Sequence, residues 1–549
     1  MSEKLKQPAS GKTKSIIGGM TVLGLSGLIC KLVGVLFSIP LQWMIGLEGL
    51  GVYNAVFPTY NLLLTISSAG LPVAVSRLVA QSLAKDDPRS ARQVFRTALL
   101  LLTILGCIAT IIIFACSGLL SDNVVKLDES RLGFQVIAPC VAMVCMLSAF
   151  RGFMQGQQNM TPTAVSQLIE QVGKVAIALP LAYAGKVIGA DNGMSAAYGA
   201  AGALLGTTLV EAVALLYMVL LYLRKRNDFN RLEQDPERET EDSRAIARQL
   251  MYISIPITIG ACIVPLSQFI DSAMLMERLQ IYGETYERAK SLYGLFTGTV
   301  IRLINIPTAL ALAVSMSLVP AISSAKALDD YDTINRQSDL GLRFAFLIGF
   351  PCSIGMSVLA EPMMYFFYGE TMETEYLRLG GELLAVSSLT IVLFTVVQAT
   401  SSILQGLGKQ RIPMYTLVAG VACKILLNYV LIAGVSIKVF NWFTLNIPGI
   451  GIHGAPIASL VCYTVSMVPN LYYVMKYGRV KFNLMGWVVR PAAATAAMGV
   501  VVWLMREALP TGRLMTMLEI AVGVVIYAGA ALACKAITKD DLRAFRRRK

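Results

Sequence analysis

Eight side chains able to carry charge or to hydrogen-bond sit inside stretches that are otherwise apolar: Lys31, Glu170, Lys174, Glu211, Asp271, Arg302, Lys424 and Asn428. An ionisable group at the centre of a bilayer costs at least about 2.5–3.5 kcal/mol on insertion scales, so each needs a wet cavity or a partner. Lys31, in LICKLVGVLF, has Gly24, Gly27, Gly34 and Ser38 at helical spacings. That small-residue face suits a cavity wall or an ion pair that locks packed helices, and does not suit lipid. Gln167, Glu170, Gln171 and Lys174 form a polar stripe in which Glu170 and Lys174, four apart, can pair. Glu211 is expected as a further partner for Lys174 or Lys31. Arg302, in GTVIRLINIP, has Gly298 and Asn305 one turn away on either side, and its planar guanidinium suits bidentate recognition of phosphate oxygens. Asp271, Lys424 and Asn428 would form an ion-paired group if their helices are neighbours, since a buried carboxylate stays charged beside an ammonium. Arg77 and Arg151 lie nearer helix ends and are expected to snorkel. Lys31, Lys174 and Arg302 together predict an electropositive chamber for an anionic, phosphate-bearing cargo.

The elements that must position these groups are long helices. Of 549 residues 55% are apolar and only 15% charged, with a mean hydropathy of +0.63, the balance of a membrane protein. Crossing about 30 Å of hydrocarbon takes roughly 20 apolar residues. Fourteen such runs occur, near 16–45, 52–82, 94–120, 132–155, 161–184, 194–223, 249–275, 292–320, 341–367, 378–405, 412–436, 451–475, 485–505 and 515–537. They are two to three times the length of a barrel strand, so the expected fold is all-α and polytopic. No cleavable leader is expected, because the first run is too long and follows a basic tail.

Alternate loops hold about three times as many Lys and Arg on one side as on the other. That side is expected to be cytoplasmic and to hold both termini, while GLEGLG (46–51) and GETMETEYLRL (369–379) fall outside. The net charge of +13 is spread over short loops without a nucleic-acid-binding pattern; anionic lipid headgroups are its expected contacts. Ten cysteines lie scattered without a CxxC, as small packing residues. The one histidine, His453, sits at a helix entrance as a structural residue. No Walker A pattern, no HExxH and no catalytic or metal-ligating set is found, so no enzyme, cofactor or metal is expected.

Shifting the chain by 250 residues sets FMQGQQNMTPTAVSQLIEQVGKV (153–175) on ILQGLGKQRIPMYTLVAGVACKI (403–425), with Gln-Gly on Gln-Gly and Lys174 on Lys424. A looser match sets AQSLAK (80–85) on AISSAK (321–326), at 241. Repeats six helices apart keep the same orientation, which predicts two pseudo-symmetric six-helix lobes related about the membrane normal. The expected organisation is a tail over 1–15, an N-lobe over 16–223, a charged loop over 224–247, a C-lobe over 248–477, two extra helices over 478–537 and a basic tail over 538–549.

The blocks GLEGLGVYNAVFPTYNLLLTISSAGLPVAVSRLVAQSLAKDD (46–87) and RGFMQGQQNMTPTAVSQLIEQVGKV (151–175) closely resemble the SpoVB and MurJ group of polysaccharide-biosynthesis membrane proteins, part of the MOP superfamily with the MATE exporters. The resemblance implies two lobes around a cationic cavity, with the last two helices forming a groove for a polyprenyl tail. It implies a flippase that moves an undecaprenyl-pyrophosphate-linked precursor, lipid II foremost, from the inner to the outer leaflet of the bacterial cytoplasmic membrane, for peptidoglycan or spore cortex. The membrane potential or a proton or sodium gradient would drive it, and membrane lipids and cell-wall synthases are the implied neighbours. Lys31 and Arg302 resemble family cavity arginines, Arg302 in a motif R-L-x-x-x-P. Phe37, Ser38, Leu64 and Thr65 stand where MurJ proteins of the best-known type carry charges, which favours the SpoVB-like branch. Asp271, Lys424 and Asn428 resemble a sodium site of some relatives, with the Lys424 ammonium in place of the ion. A MATE-type exporter of cationic drugs, an O-antigen-type flippase and a scaffold for wall synthases are the competing readings.

Overall fold

Without water to solvate it, a long apolar stretch can satisfy its backbone only as helix or closed barrel, and this chain is helical along nearly all its length. The computed structural model describes residues 9–68, 70–85, 87–231, 242–440, 443–480, 482–510 and 512–536; between 9 and 36 it describes the side chains of Cys30, Val33 and Gly34 alone. Residues 1–8, residues 232–241 of the charged loop and the basic tail 538–549 thus fall outside the described residues. A helix covers each of the fourteen predicted runs. Among the described residues eleven helices are long and apolar enough to cross a membrane, or twelve if the bent pair Ser243–Ala261 and Ile263–Tyr282 is one span. The predicted runs at 16–45 and 292–320 have no span of their own among these, and both fall partly on side chains outside the described set.

Pro88–Ala115 shows how these helices meet lipid. Phe95, Ala98, Leu102, Ala109 and Ile113 are buried, while Leu100, Ile104, Ile108 and Ile111 are exposed on the opposite face. Apolar side chains on both faces are what a helix between protein and hydrocarbon requires. The first two runs join in Ala9–Ser68, which breaks at Gly46 (φ 74°, ψ −177°), a conformation open only to glycine. Within this all-α fold a short antiparallel hairpin pairs Val435–Phe440 with Phe443–Ile447, Val435 opposite Ile447. VSIKVF and FTLNI are rich in the β-branched and aromatic residues that favour strands, and Gly434 at φ 73° stops the preceding helix.

The chain forms two compact units, Met1–Ala273 and Met274–Lys549. The division falls inside helix Ile263–Tyr282, past the charged loop. Ser243–Ala261 packs on Leu71–Ala84 and Pro88–Ala115 of the first unit, and the Gly70 amide donates to Thr258 Oγ1 at 3.1 Å.

Each unit repeats one hairpin. Gln157 N, Gln158 N and Asn159 N donate to Phe153 O (3.2 Å), Gln155 O (2.9 Å) and Met154 O (3.1 Å). In the second unit Leu407 N, Gly408 N and Lys409 N donate to Ile403 O (3.0 Å), Gln405 O (2.9 Å) and Leu404 O (2.8 Å), each 250 residues on. Gln158 and Gly408 both take the left-handed conformation, φ 61° and 75°. The shared glycine has a packing reason: a Cβ on Gly156 would lie 2.7 Å from Val79 Cβ, and one on Gly406 2.8 Å from Ile322 Cβ. The looser repeat shifts from 241 to 243. Asp87 N donates to Ser82 O and Asp330 N to Ala325 O, both at 3.0 Å, and both aspartates cap the next helix, accepting from Ser90 N and Thr333 N at 3.0 Å. Thr333 holds the Asp330 carboxyl below its ordinary value. A lowered folded-state value means that this cap stabilises above the unfolded value and is lost as pH falls through the folded one.

The last two helices, Arg490–Ala508 and Arg513–Ala533, are fastened to Tyr331–Val358 of the second unit. The Trp487 indole, fully buried, donates to Asp339 Oδ1 at 2.7 Å, and Tyr527 Oη donates to Leu347 O at 2.7 Å. Arg343 donates twice to Ala536 O, at 2.9 and 2.6 Å, tying down the turn that follows Arg513–Ala533.

Glycine also sets the tightest approach in the first unit, where a Cβ on Gly202 would lie 2.1 Å from Leu181 O. Gly202→Val should therefore separate Leu179–Ala190 from Ser195–Arg231 and cost about 1–3 kcal/mol. Gly529→Ala, in open space, should be neutral or mildly stabilising; thermal unfolding in detergent compares the two.

Candidate functional site

In the first unit the polar side chains converge from four helical elements. Ser130–Gly156 carries Cys140 and Arg151; Thr161–Gly173 carries Ser166, Glu170 and Gln171. The latter runs through a widened π turn, Lys174–Ala178, into Leu179–Ala190. Ser195–Arg231 carries Glu211, and Ala9–Ser68 carries Cys30, Gly34, Tyr53 and Tyr60.

Two close approaches bring Lys174 to Glu211. A Cβ on Gly173 would lie 2.6 Å from Val210 Cγ1, and one on Gly206 2.3 Å from Ala178 Cα. Lys174, half-buried, is within electrostatic reach of Glu211, Tyr53, Glu170 and Cys140. Glu211 is buried. The Tyr60 hydroxyl meets Cys140 Sγ at 3.2 Å, and a Cβ on Gly34 would stand 3.2 Å from Gln171 Oε1.

Arg151 does not snorkel. Its Nη2 donates to Glu170 Oε1, forming an ion pair with both side chains largely covered, and its Nε donates to Ser166 Oγ at 2.9 Å. The ion pair shown for Glu170 is thus with Arg151 and not with Lys174; the planar guanidinium across the hairpin bonds Ser166 and Glu170 at once, which a single ammonium on the same helix does not match. The pairing had a readable signal. Arg151 and Ser166 are equidistant from the 158–159 turn, so an antiparallel hairpin sets them opposite each other. Arg77, by contrast, is exposed.

In the second unit Arg302 is half-buried on Ile301–Ala327, directly after a second π turn, Gly294–Val300. Such turns often mark functional positions. Asn305, one turn on, is exposed, while Gly298 is buried. Arg302 is within electrostatic reach of Tyr368, whose hydroxyl is buried without a hydrogen bond among the described residues. Lys424 is half-buried and Asn428 buried on Arg411–Ala433 of this unit, while Asp271 is half-buried in the first. The Lys31 side chain lies outside the described residues. His453 Nε2 meets Glu382 Oε2 at 3.3 Å. No group of three or more metal-ligating side chains occurs among the described residues.

A family described as polysaccharide biosynthesis protein matches residues 16–326, more than half of the chain. The chain belongs to that family. A second family description, MatE, matches residues 297–430, so the two matches place this family member in the MOP superfamily of membrane transporters. It is 26% identical over 432 residues to the lipid II flippase MurJ of Bacillus subtilis (strain 168), covering 76% of this chain and 77% of that protein. It is 26% identical over 365 residues to the stage V sporulation protein B of the same organism, covering 66% and 69%. Among solved structures the family member shares its fold with lipid II flippase MurJ in an inward closed conformation, with TM-score 0.68, 11% identity, and 93% and 98% of the two chains covered. An inward-facing MATE multidrug transporter gives TM-score 0.65 and 15% identity over 82% and 95%.

The Arg151–Glu170 pair is testable without reference to transport. Arg151→Ala strands a covered carboxylate and should cost about 3–5 kcal/mol. Arg151→Met with Glu170→Leu should recover most of that loss. A double-mutant cycle by denaturant unfolding in micelles measures the coupling.

Proposed function

We propose that this protein flips a lipid-linked, pyrophosphate-bearing cell-wall precursor from the inner to the outer leaflet of the bacterial cytoplasmic membrane, with both termini cytoplasmic. The observation that carries the reading is Arg302. A guanidinium left half-buried beside an exposed Asn305 in an apolar helix belongs to a wall that water and a charged headgroup reach, because lipid would reject both side chains. Lys174 and Lys31 add two further cationic residues in the sequence of the first unit. Family membership and the names of the Bacillus subtilis relatives support the same class of cargo.

The chemistry fits alternating access. A pyrophosphate offers oxygens to Arg and Lys in a cavity, where charge-assisted bonds are shorter and stronger than neutral ones. The polyprenyl tail never needs to leave hydrocarbon. It would lie along Arg490–Ala508 and Arg513–Ala533, whose Val500, Trp503, Leu504, Val524 and Val525 are exposed and apolar. Phe37, Ser38, Leu64 and Thr65 favour the SpoVB-like branch. A cation exporter would need uncompensated acids, and the Glu170 carboxylate is already matched by Arg151.

Arg302→Glu should abolish flipping and Arg302→Ala should reduce it at least about tenfold. Arg302→Lys should retain part, since an ammonium keeps the charge but loses the bidentate fork. Depletion should raise inner-leaflet precursor in a strain without a redundant flippase. Full activity in the Glu variant, measured as outer-leaflet precursor in vesicles, would refute the reading.

A further inference from the structure

The second unit holds the cations at its two ends in different ways. Its helices alternate in direction, so the turns at 369–373 and 509–512 share one end, while those at 328–330 and 407–410 and the residues after Gly478 share the other. At the first end carboxylates neutralise the arginines: Glu382 meets Arg378 at 3.5 Å, and Glu361 and Glu370 meet Arg506 and Arg513 at 2.9 Å each.

At the other end the partners are tyrosine rings. The Arg479 guanidinium lies 4.5 Å from the Tyr331 ring centre. Lys326 Nζ reaches the same tyrosine, 4.7 Å from the ring centre and 2.8 Å from the hydroxyl. Lys409 Nζ and Lys476 Nζ lie 5.0 and 5.8 Å from the Tyr477 ring centre. Tyr473 stacks on Tyr477 at 5.9 Å, and all three tyrosines pack on one hydrophobic cluster that includes Ile334, Leu407 and Val480. The rings are thus fixed from below, while Arg479, Lys409 and Lys476 are exposed.

Of these four cations only Lys326 meets a carboxylate, Asp329 Oδ1 at 2.9 Å; the other three make no ion pair among the described residues. A ring face attracts a cation without cancelling its charge, so two cations gathered on each ring repel one another and leave a positive field for an anion. Arg479 also takes the left-handed conformation, φ 52°, at the position after a helix where glycine costs least. A signal that merely orients the chain in a membrane needs charge at this end. It needs neither a ring beneath each cation nor a strained arginine. The neighbouring surface is apolar: Leu328 is 81% exposed, and Phe482, Leu484 and Met485, beyond Arg479, are exposed as well. A soluble anion would leave those side chains uncovered, whereas a lipid brings acyl chains to them together with its headgroup.

We propose that this end of the second unit binds an acidic phospholipid, its phosphate met by the cations seated on Tyr331 and Tyr477 and its acyl chains lying against Phe482, Leu484 and Met485. The site uses none of the side chains assigned to the cargo.

Trp487 reports on this surface, because Phe482 meets its ring edge-on at 5.5 Å. In the full chain carrying Trp43→Phe, Trp442→Phe and Trp503→Phe, reconstituted in phosphatidylcholine vesicles, lipids brominated on one acyl chain quench its fluorescence. Brominated phosphatidylglycerol should act at a mole fraction at least about fivefold lower than brominated phosphatidylcholine, the preference expected of one cation near an anionic lipid. That preference should fall below about twofold at high salt, and likewise when Arg479→Gln, Lys409→Gln and Lys476→Gln are combined. It should persist in Arg378→Gln with Arg513→Gln, at the opposite end. If the triple variant fails to fold, Arg479→Gln alone, at an exposed position, should lose part of the preference. Equal quenching by the two lipids in the parent protein, or an unchanged preference in the folded Gln variant, overturns the site. Displacement by inorganic phosphate beyond that by chloride of equal ionic strength assigns the cations to a soluble anion and overturns the lipid. None of these vesicles contains a pyrophosphate lipid, so the result stands apart from that of the flipping assay.

Discussion

The absence of water from the hydrocarbon governs this molecule. Every backbone amide inside the bilayer must bond within its own helix, and every charge must find a countercharge or an open cavity. Arg151 and Glu170 satisfy the second condition across a hairpin. Helix ends satisfy the first by a recurring device, an arginine from a neighbouring helix that donates to terminal carbonyls. Arg278 donates to Tyr429 O at 2.6 Å and Gly434 O at 3.1 Å, with its guanidinium 4.0 Å from the Tyr429 ring. Arg506 likewise serves Val358 O at 3.0 Å. A guanidinium suits this task because it carries several donors in one plane and its positive charge complements the helix C-terminus.

The two units solve one packing problem with different chemistry. Their fourth-run hairpins turn through the same three hydrogen bonds, with glycine at the same point of closest approach. Within that shared frame the first unit places an ionic group and the second a chain of Thr, Asn and Ser. Charge has been concentrated where the frame did not demand it. Arg302, in the second unit, instead follows a π turn, which rotates the succeeding residues relative to an unbroken α-helix.

The C-terminal helices belong mechanically to the second unit. Trp487, Tyr527 and Arg343 bind them at several heights along Tyr331–Val358, while their outward faces stay apolar. An element anchored on one side and apolar on the other keeps its outward face available to lipid.

Hydropathy alone determined the helical membrane class, because the length of an apolar run and the thickness of a bilayer are both local quantities. The hairpin repeat and the family resemblance were also legible, through Gln155–Gly156 and Gln405–Gly406. Three things were decided only in three dimensions. The choice of Arg151 over Lys174 as the partner of Glu170 is one, since the sequence sets both cations near it and only the placed guanidinium, bonded to Ser166 and Glu170 together, selects between them. The second repeat has an offset of 243, since the caps at Asp87 and Asp330 mark the equivalence that loose side-chain matching misses by two residues. Ser243–Ala261 packs with the first unit, since nothing in its own pattern says which neighbours its buried face will meet. Local pattern tells a helix that it must hide a face, and only the assembled fold settles what covers it.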